Sequence, residues 1–158
     1  MYPGLPNLTS WNHIPRSGQC THYNCVAWAI GCDYVNLWPD GNNHWPEGLA
    51  REETLECFIA LFESLGFELT DNNAIESQYW KIAIYIDSGG EPTHVARQLR
   101  NGNWVSKINI FFDIEHKELS VLEDGDYGRV AQYMRRARTG RPPVLPPLIP
   151  PAPKILLP

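Results

Sequence analysis

Four cysteines and five histidines supply the side chains of this chain that most often perform nucleophilic chemistry. Two of the cysteines, Cys20 and Cys25, lie in the stretch GQCTHYNCVAWAIG, directly before an apolar run. A helix N-terminus stabilises a thiolate through its unpaired backbone N–H groups. Asn24 is a favourable N-cap and Gly31 a suitable C-terminal end, so a helix over 24–30 is predicted. Cys25 then lies in its first turn and is the candidate nucleophile.

The candidate base is His94, because a cysteine nucleophile needs an imidazole to hold and return its proton. His94 opens the predicted strand THVARQL, and Asn101–Gly102 predicts a two-residue turn to the next strand, NWVSKIN. That turn sets His94 opposite Asn109, at roughly 4.5 to 5.5 Å between Cβ atoms. Asn109 is therefore a candidate for orienting the imidazole. A β-bulge would pass that role to another polar residue nearby: Ser106, Lys107 or Asp113.

The elements that position these residues follow from hydrophobic periodicity. In REETLECFIALFESLGFEL the apolar residues recur at three- and four-residue spacing, which predicts a long amphipathic helix. KIAIYID alternates and is β-branched, so it predicts a strand before the hairpin. YGRVAQYMRRA, residues 127–137, is interpreted as a short helix. The order predicts an α+β domain in which N-terminal helices pack on an antiparallel β-meander.

Composition divides the chain into three segments. Residues 1–19 are broken by prolines and predict an irregular arm, and residues 20–138 predict one globular domain. Residues 139–158 contain the run RPPVLPPLIPPAPKILLP, which predicts an extended polyproline II tail. Two roles for this tail remain open: it binds a partner, or it lies as a strap across its own domain.

Charge and hydropathy exclude several classes of partner. All 18 acidic residues precede Met134, whereas only eight of the 13 basic residues do, which argues against nucleic acid. No apolar run is long enough for a transmembrane helix, and the N-terminal residues do not resemble a signal peptide. We therefore expect a cytoplasmic protein with free thiols, no membrane partner and no cofactor.

A zinc site is the competing interpretation of the cysteines and histidines. Structural zinc sites usually contain a Cys-x-x-Cys or His-x-x-x-His unit, and this chain has neither. We therefore predict no metal site, although five potential ligands lie in the N-terminal third: Cys20, His22, Cys25, Cys32 and His44.

The order of cysteine on a helix start, histidine on a strand start and a polar residue on the next strand resembles the papain-like cysteine hydrolases, which include NlpC-type peptidases and CHAP amidases. Within that fold, the motifs YNCVAWA, THVARQL and SK followed by DIEH look like a largely uncharacterised family. The resemblance covers roughly residues 20–137. It implies a papain-like fold with Cys25 as nucleophile and His94 as base. Asn109 stands where that family is expected to have glycine, which favours Asp113 as the third member.

Two finer matches point to different nucleophiles. Gly18-Gln19-Cys20 looks like the nucleophile motif of the CHAP amidases, which would make Cys20 the nucleophile. That family has a glutamate where this chain has Lys107. Papain-type proteases place a glutamine six residues before the cysteine, and Gln19 stands six before Cys25. This match implies that Gln19 donates to the oxyanion.

These residues predict a cysteine-dependent amide hydrolase, a peptidase, amidase or deamidase, that acts on a protein or peptide through an acyl-thioester. Trp38 and Trp45, in the loop after the first helix, are candidates for the substrate-binding wall. The alternative is a catalytically inactive papain-like binding module whose proline-rich tail recruits a partner.

Overall fold

The structure, a computed structural model, describes residues 2–17, 20–108, 112–139 and 143–151. Two α-helices form in this part of the chain: α1 Cys25–Ala29 and α2 Leu55–Ser64. Neither has the length and apolarity to cross a bilayer. The strands are β1 His13–Pro15, β2 Trp45–Pro46, β3 Glu68–Thr70, β4 Tyr79–Ile86, β5 Pro92–Gln98, β6 Trp104–Ile108, β7 Phe112–His116, β8 Arg129–Ala137 and β9 Leu148–Ile149. A 3-10 turn, Leu119–Leu122, precedes β8.

A seven-stranded antiparallel sheet dominates the described residues, with the strand order β1-β7-β6-β5-β4-β8-β3. The predicted α+β domain, helices packed on a meander in a papain-like fold, is therefore wrong, and the fold is β-rich. The helices contribute only five and ten residues. The sheet is larger than predicted because the arm supplies the edge strand β1 and the predicted C-terminal helix is instead the strand β8.

The segment 127–137 is the clearest error of the sequence-based interpretation. Residues Arg129–Ala137 form β8, which lies between β4 and β3. Tyr133 pairs with Ala83 on one side, and Met134 pairs with Leu69 on the other. Helix propensities differ by only about 0.7 kcal/mol per ordinary residue, so pairing on both edges outweighs the local preference.

The hairpin of β5 and β6 forms one residue out of the predicted register. Arg97 lies opposite Val105, not opposite Ser106 as a two-residue turn requires. The N–H of Leu99 donates to the carbonyl of Asn103 at 2.7 Å, so the turn holds three residues. A one-residue shift changes every cross-strand neighbour, and the predicted pairing of His94 with Asn109 rested on the other register.

Helix α1 confirms the predicted cap. The Oδ1 atom of Asn24 accepts from the N–H groups of Ala27 and Leu37, each at 3.1 Å. Its side-chain amide also donates to the Leu37 carbonyl at 2.6 Å. Gly31 follows the helix with a φ of 78°, a conformation that suits glycine. Cys25 is thereby fixed in the first turn and tied to the loop that follows.

The sheet separates two apolar clusters. The helix face, packed under α1 and α2, carries Ile82, Ile84 and Val95. The opposite face, packed under the 3-10 turn and the N-terminal residues, carries Ala83, Tyr85 and Ala96. Because strand side chains alternate, each residue of β4 and β5 belongs to one face only. This division decides which predicted site residues meet.

The proline-rich segment lies on its own domain over residues 143–151. Strand β9 pairs with β2, so that Ile149 lies opposite Trp45 and Leu148 opposite Pro46. Leu145 and Leu148 also pack against the helix-face core. Of the two roles left open by the sequence, the described part of the tail adopts the strap.

Candidate functional site

A cleft of about 400 Å³ opens where the N-terminus of α1 meets the start of β5 and the end of β6. Its lining side chains are mostly polar or aromatic: Asn24, Cys25, Asn36, Trp38, Asp40, Asn43, Thr93, Lys107 and Tyr127. The predicted nucleophile and one predicted wall residue are among them. The cleft is therefore the candidate functional site.

The thiol of Cys25 is protonated in this environment. The residue is 8% exposed, and desolvation raises the pKa of its thiol to about 11. The backbone N–H groups of Val95, Val26 and Cys25 itself lower the pKa, but by less than burial raises it. Among the described residues no cation lowers the pKa of this thiol, so none of them stabilises a thiolate here by ion pairing.

His94 is fully buried between two tyrosines. Its ring stacks on Tyr127 with centroids 4.4 Å apart and meets Tyr85 edge-on at 5.3 Å. Neither ring nitrogen has a hydrogen-bond partner among the described residues. Burial, with a smaller contribution from His116, lowers the pKa of His94 to about 3. The imidazole is therefore neutral at physiological pH.

The structure does not bring Cys25 and His94 together as the sequence predicted. His94 pairs with Tyr85 across β4 and β5 and shares its face of the sheet, whereas Val95 faces α1. Cys25 packs on the helix face. A strand side chain points to one face of the sheet only. The sequence predicted a polar neighbour for His94 but did not show on which face of the sheet its ring lies. Tyr127 lines the cleft on one side and covers the His94 ring on the other.

Asp113 takes part in a hydrogen-bond group on the helix face. Its Oδ2 atom accepts from Ser17 and from the Tyr23 hydroxyl, both at 2.8 Å, while its Oδ1 atom has no partner in the described residues. Burial and this carboxylate raise the pKa of Tyr23 to about 12. Asp113 pairs with Lys107 across β6 and β7. It therefore orients Tyr23 and Ser17, not His94.

Lys107 has a place in the cleft that the sequence did not predict. Its side chain is fully buried and lines the cleft, and its Nζ atom lies 4.5 Å from the centre of the Tyr23 ring. Nζ has no hydrogen-bond partner among the described residues. Lysine is almost never fully buried unless it is paired. The sequence suggested Lys107 only as an alternative residue for orienting His94 and as a departure from the CHAP pattern, and the available signal for its burial was a lone lysine in the strand WVSKI.

The remaining predicted residues have different positions. Trp38 lines the cleft, and its indole N–H donates to Glu53 at 2.7 Å. Trp45 is 1% exposed, packs in the core and donates to the Ala50 carbonyl, so it does not form a substrate wall. Gln19 and Asn109 lie outside the described residues.

Cys20, the alternative nucleophile, lies outside the cleft lining. Its Sγ atom is 3.7 Å from Nδ1 of His22 on an exposed stretch. In the described part of the chain, no three His, Cys, Asp or Glu side chains gather closely enough to hold a metal ion. The two residues therefore form a local pair.

Comparison with known proteins adds one match. The model of a family described as a domain of unknown function, DUF7689, matches residues 15–135. No curated protein and no solved structure matches the chain. The matched range contains the whole cleft lining.

Proposed function

The chain belongs to the DUF7689 family of domains of unknown function, and from this premise we propose that it is a binding domain whose cleft holds a peptide carboxylate. The observation that carries the proposal is the buried ammonium of Lys107 at the cleft, whose Nζ atom has no hydrogen-bond partner in the part of the chain that the structure describes. A buried charge without a partner costs several kcal/mol, and a carboxylate in the cleft offsets that cost.

The other lining groups suit a peptide. Trp38 contributes an indole wall, and the Thr93 hydroxyl, which donates to the Tyr127 carbonyl, keeps acceptor capacity. The side-chain amides of Asn24 and Asn36 donate to the carbonyls of Leu37 and Thr21 and give the cleft a fixed polar rim. Asp40, the acid of the cleft lining, already accepts hydrogen bonds from the side chain of Asn43. Its charge is thus partly compensated. Lys107 then supplies the counter-charge that selects a carboxylate over an amide.

We expect N-acetyl-alanyl-alanine to bind and its C-terminal amide to bind at least about tenfold more weakly, because only the carboxylate pairs with Lys107. Chemical-shift titration of both peptides measures this. Lys107→Met should weaken binding of the acid by at least about tenfold, since the cation is removed. Lys117→Met, at an exposed lysine outside the cleft, is the matched control. Equal binding of acid and amide, or full binding by Lys107→Met, would overturn the proposal.

A second candidate function, the cysteine-dependent amide hydrolase, is favoured by one observation: Cys25 lies in the first turn of α1 and lines the cleft. In that reaction the Cys25 thiolate attacks an amide carbonyl, the amine leaves with a proton, and water hydrolyses the thioester. It requires Tyr127 to move and the His94 ring to reach the helix face. A binding domain requires neither rearrangement.

Alkylation rates distinguish the two functions. With the pKa of its thiol near 11 and 8% exposure, Cys25 should react with iodoacetamide more slowly at neutral pH than the more exposed Cys20. Mass spectrometry of peptides after timed quenching reports both rates. Rapid alkylation of Cys25, with a pH midpoint of the rate below about pH 7 that is lost in His94→Ala, would contradict the binding function and favour the hydrolase.

A further inference from the structure

We propose that a second cavity, at the C-terminal end of α1, binds a phosphorylated small ligand through three arginines: Arg97, Arg100 and Arg138. The cavity has a volume of about 650 Å³. Its wall also includes Trp80 and the backbone of Gly31. This volume accommodates a ligand of mononucleotide size. The proposal is independent of the cleft beside Cys25, because the two lining sets share no residue.

None of the three arginines forms an ion pair with a carboxylate in the described residues. The nearby Arg135 differs, since it pairs with Glu68 at 2.8 Å and with Glu76 at 2.6 Å. The chain as a whole is acidic, with a formal charge of -5, so carboxylates are plentiful elsewhere. Three guanidinium groups gathered at one cavity, without a carboxylate partner in the part of the chain that is described, indicate that the cavity binds an anion.

The three guanidinium groups are close enough to affect one another. Burial lowers the pKa of Arg97, and repulsion from Arg16 and Arg138 lowers it further, against a small opposite effect of Asp113. Burial lowers the pKa of Arg138, and Arg100 lowers it further. Like charges held together in a partly desolvated wall repel at an energetic cost, and a dianionic ligand relieves that repulsion.

Aromatic contacts hold two of these arginines in place. The Arg97 guanidinium lies 5.0 Å from the centre of the Trp28 ring, and that of Arg138 lies 5.8 Å from the Trp80 ring. The Nε atom of Arg138 also donates to the Tyr79 carbonyl at 3.0 Å. Guanidinium groups held by such contacts lose less conformational freedom on binding, and their planar fork suits phosphate oxygens.

Pyrophosphate is the probe for this cavity. We expect it to raise the melting temperature of the protein and to bind in calorimetry, with an affinity that falls between about 50 mM and 200 mM NaCl because the contacts are ionic. Arg100→Gln and Arg138→Gln should each weaken binding by at least about tenfold, since each removes one of three cations. Both substitutions are preferable to Arg97→Gln, which removes a partly buried side chain.

Two control variants locate the site. Arg129→Gln, at an exposed arginine outside the cavity, should bind pyrophosphate as the unmodified protein does. Lys107→Met should also bind it normally, which separates this site from the carboxylate cleft. Sulfate and chloride at equal ionic strength report general charge screening. An absence of heat and thermal shift, or equal weakening in Arg129→Gln and Arg138→Gln, would overturn the proposal.

Discussion

Acidification from about pH 8 to pH 5 will lower the free energy of unfolding by about 4 kcal/mol, because two buried imidazoles stay neutral in the folded state. Burial lowers the pKa of His94 to about 3 and that of His116 to about 4. In the unfolded chain both pKa values lie near 6.5. Urea denaturation at a series of pH values measures the loss.

The sign follows from proton binding. Above about pH 6.5 both states are neutral and the imidazoles do not affect stability. Below it the unfolded chain binds two protons that the folded protein excludes, so stability falls as the pH drops. At pH 5 each imidazole has lowered the free energy of unfolding by about 2 kcal/mol. That free energy falls further until the pH reaches the folded pKa values. Burial is the main cause of the lowered pKa of His116, and it outweighs the hydrogen bond to the Glu118 carbonyl, which raises that pKa.

His94→Phe isolates one half of this effect. Phenylalanine can keep the stack on Tyr127 and cannot titrate, so the loss between pH 8 and 5 should shrink to about 2 kcal/mol. Because neither ring nitrogen of His94 has a hydrogen-bond partner in the ranges that the structure describes, the substitution should not reduce stability at neutral pH. Equal losses in both proteins would contradict a neutral His94. A thiolate–imidazolium pair would give the opposite trend, with a raised pKa at His94.

Gly128→Ala will lower the free energy of unfolding by more than about 3 kcal/mol, the second large effect we expect. Gly128 has a φ of 73°, which is unfavourable for an L-residue. An added Cβ would overlap the carbonyl oxygen of Ile86 and lie 2.8 Å from Cα of Asp87. Both are backbone atoms of the neighbouring strand end, which cannot move aside as a side chain would. Chemical denaturation at neutral pH measures the loss.

Gly90→Ala is the matched control for this substitution. Gly90 has a φ of 85°, and a Cβ there meets no atom within 4 Å. Gly90→Ala should therefore lower the free energy of unfolding by only about 1 kcal/mol, the cost of the left-handed backbone conformation for alanine. Similar losses at Gly90 and Gly128 would show that the contact with the Ile86 carbonyl is unimportant. Because Gly128 follows Tyr127, its substitution also tests how rigidly the Tyr127 ring is held against His94.

Local signals were sufficient for α1 and the position of Cys25. The Asn24 cap and Gly31 are features of a few consecutive residues, so a short stretch of sequence determines them. Cys25 therefore lies where the sequence placed it, in the first turn of α1. The protonation state of its thiol did not follow, because the burial of Cys25 depends on distant residues of the same core cluster, such as Val95.

Non-local pairing explains the failures. The face on which His94 lies depends on the register of β4, β5 and β8, and both pairings of β4 shift near Tyr85. Residues 127–137 were interpreted as a helix from local pattern alone, but pairing of β8 with β4 and β3 makes most of this segment a strand. A lysine in a strand is normally directed toward solvent, so the burial of Lys107 is visible only once β7 and the Tyr23 ring are in place.

The two walls of the cleft differ in local stability, because one of them depends on the strap. One wall consists of the starts and ends of long sheet strands, whose amides should exchange with solvent only on global unfolding. The other is the loop that carries Trp38, and beyond it the two-residue strand β2 is held by the equally short β9. A ladder that short can open while the sheet stays intact, as a sub-global fluctuation. Ligand entry would then depend on how often the β2–β9 ladder opens. Native-state hydrogen exchange at Trp45 would measure the free energy of that opening.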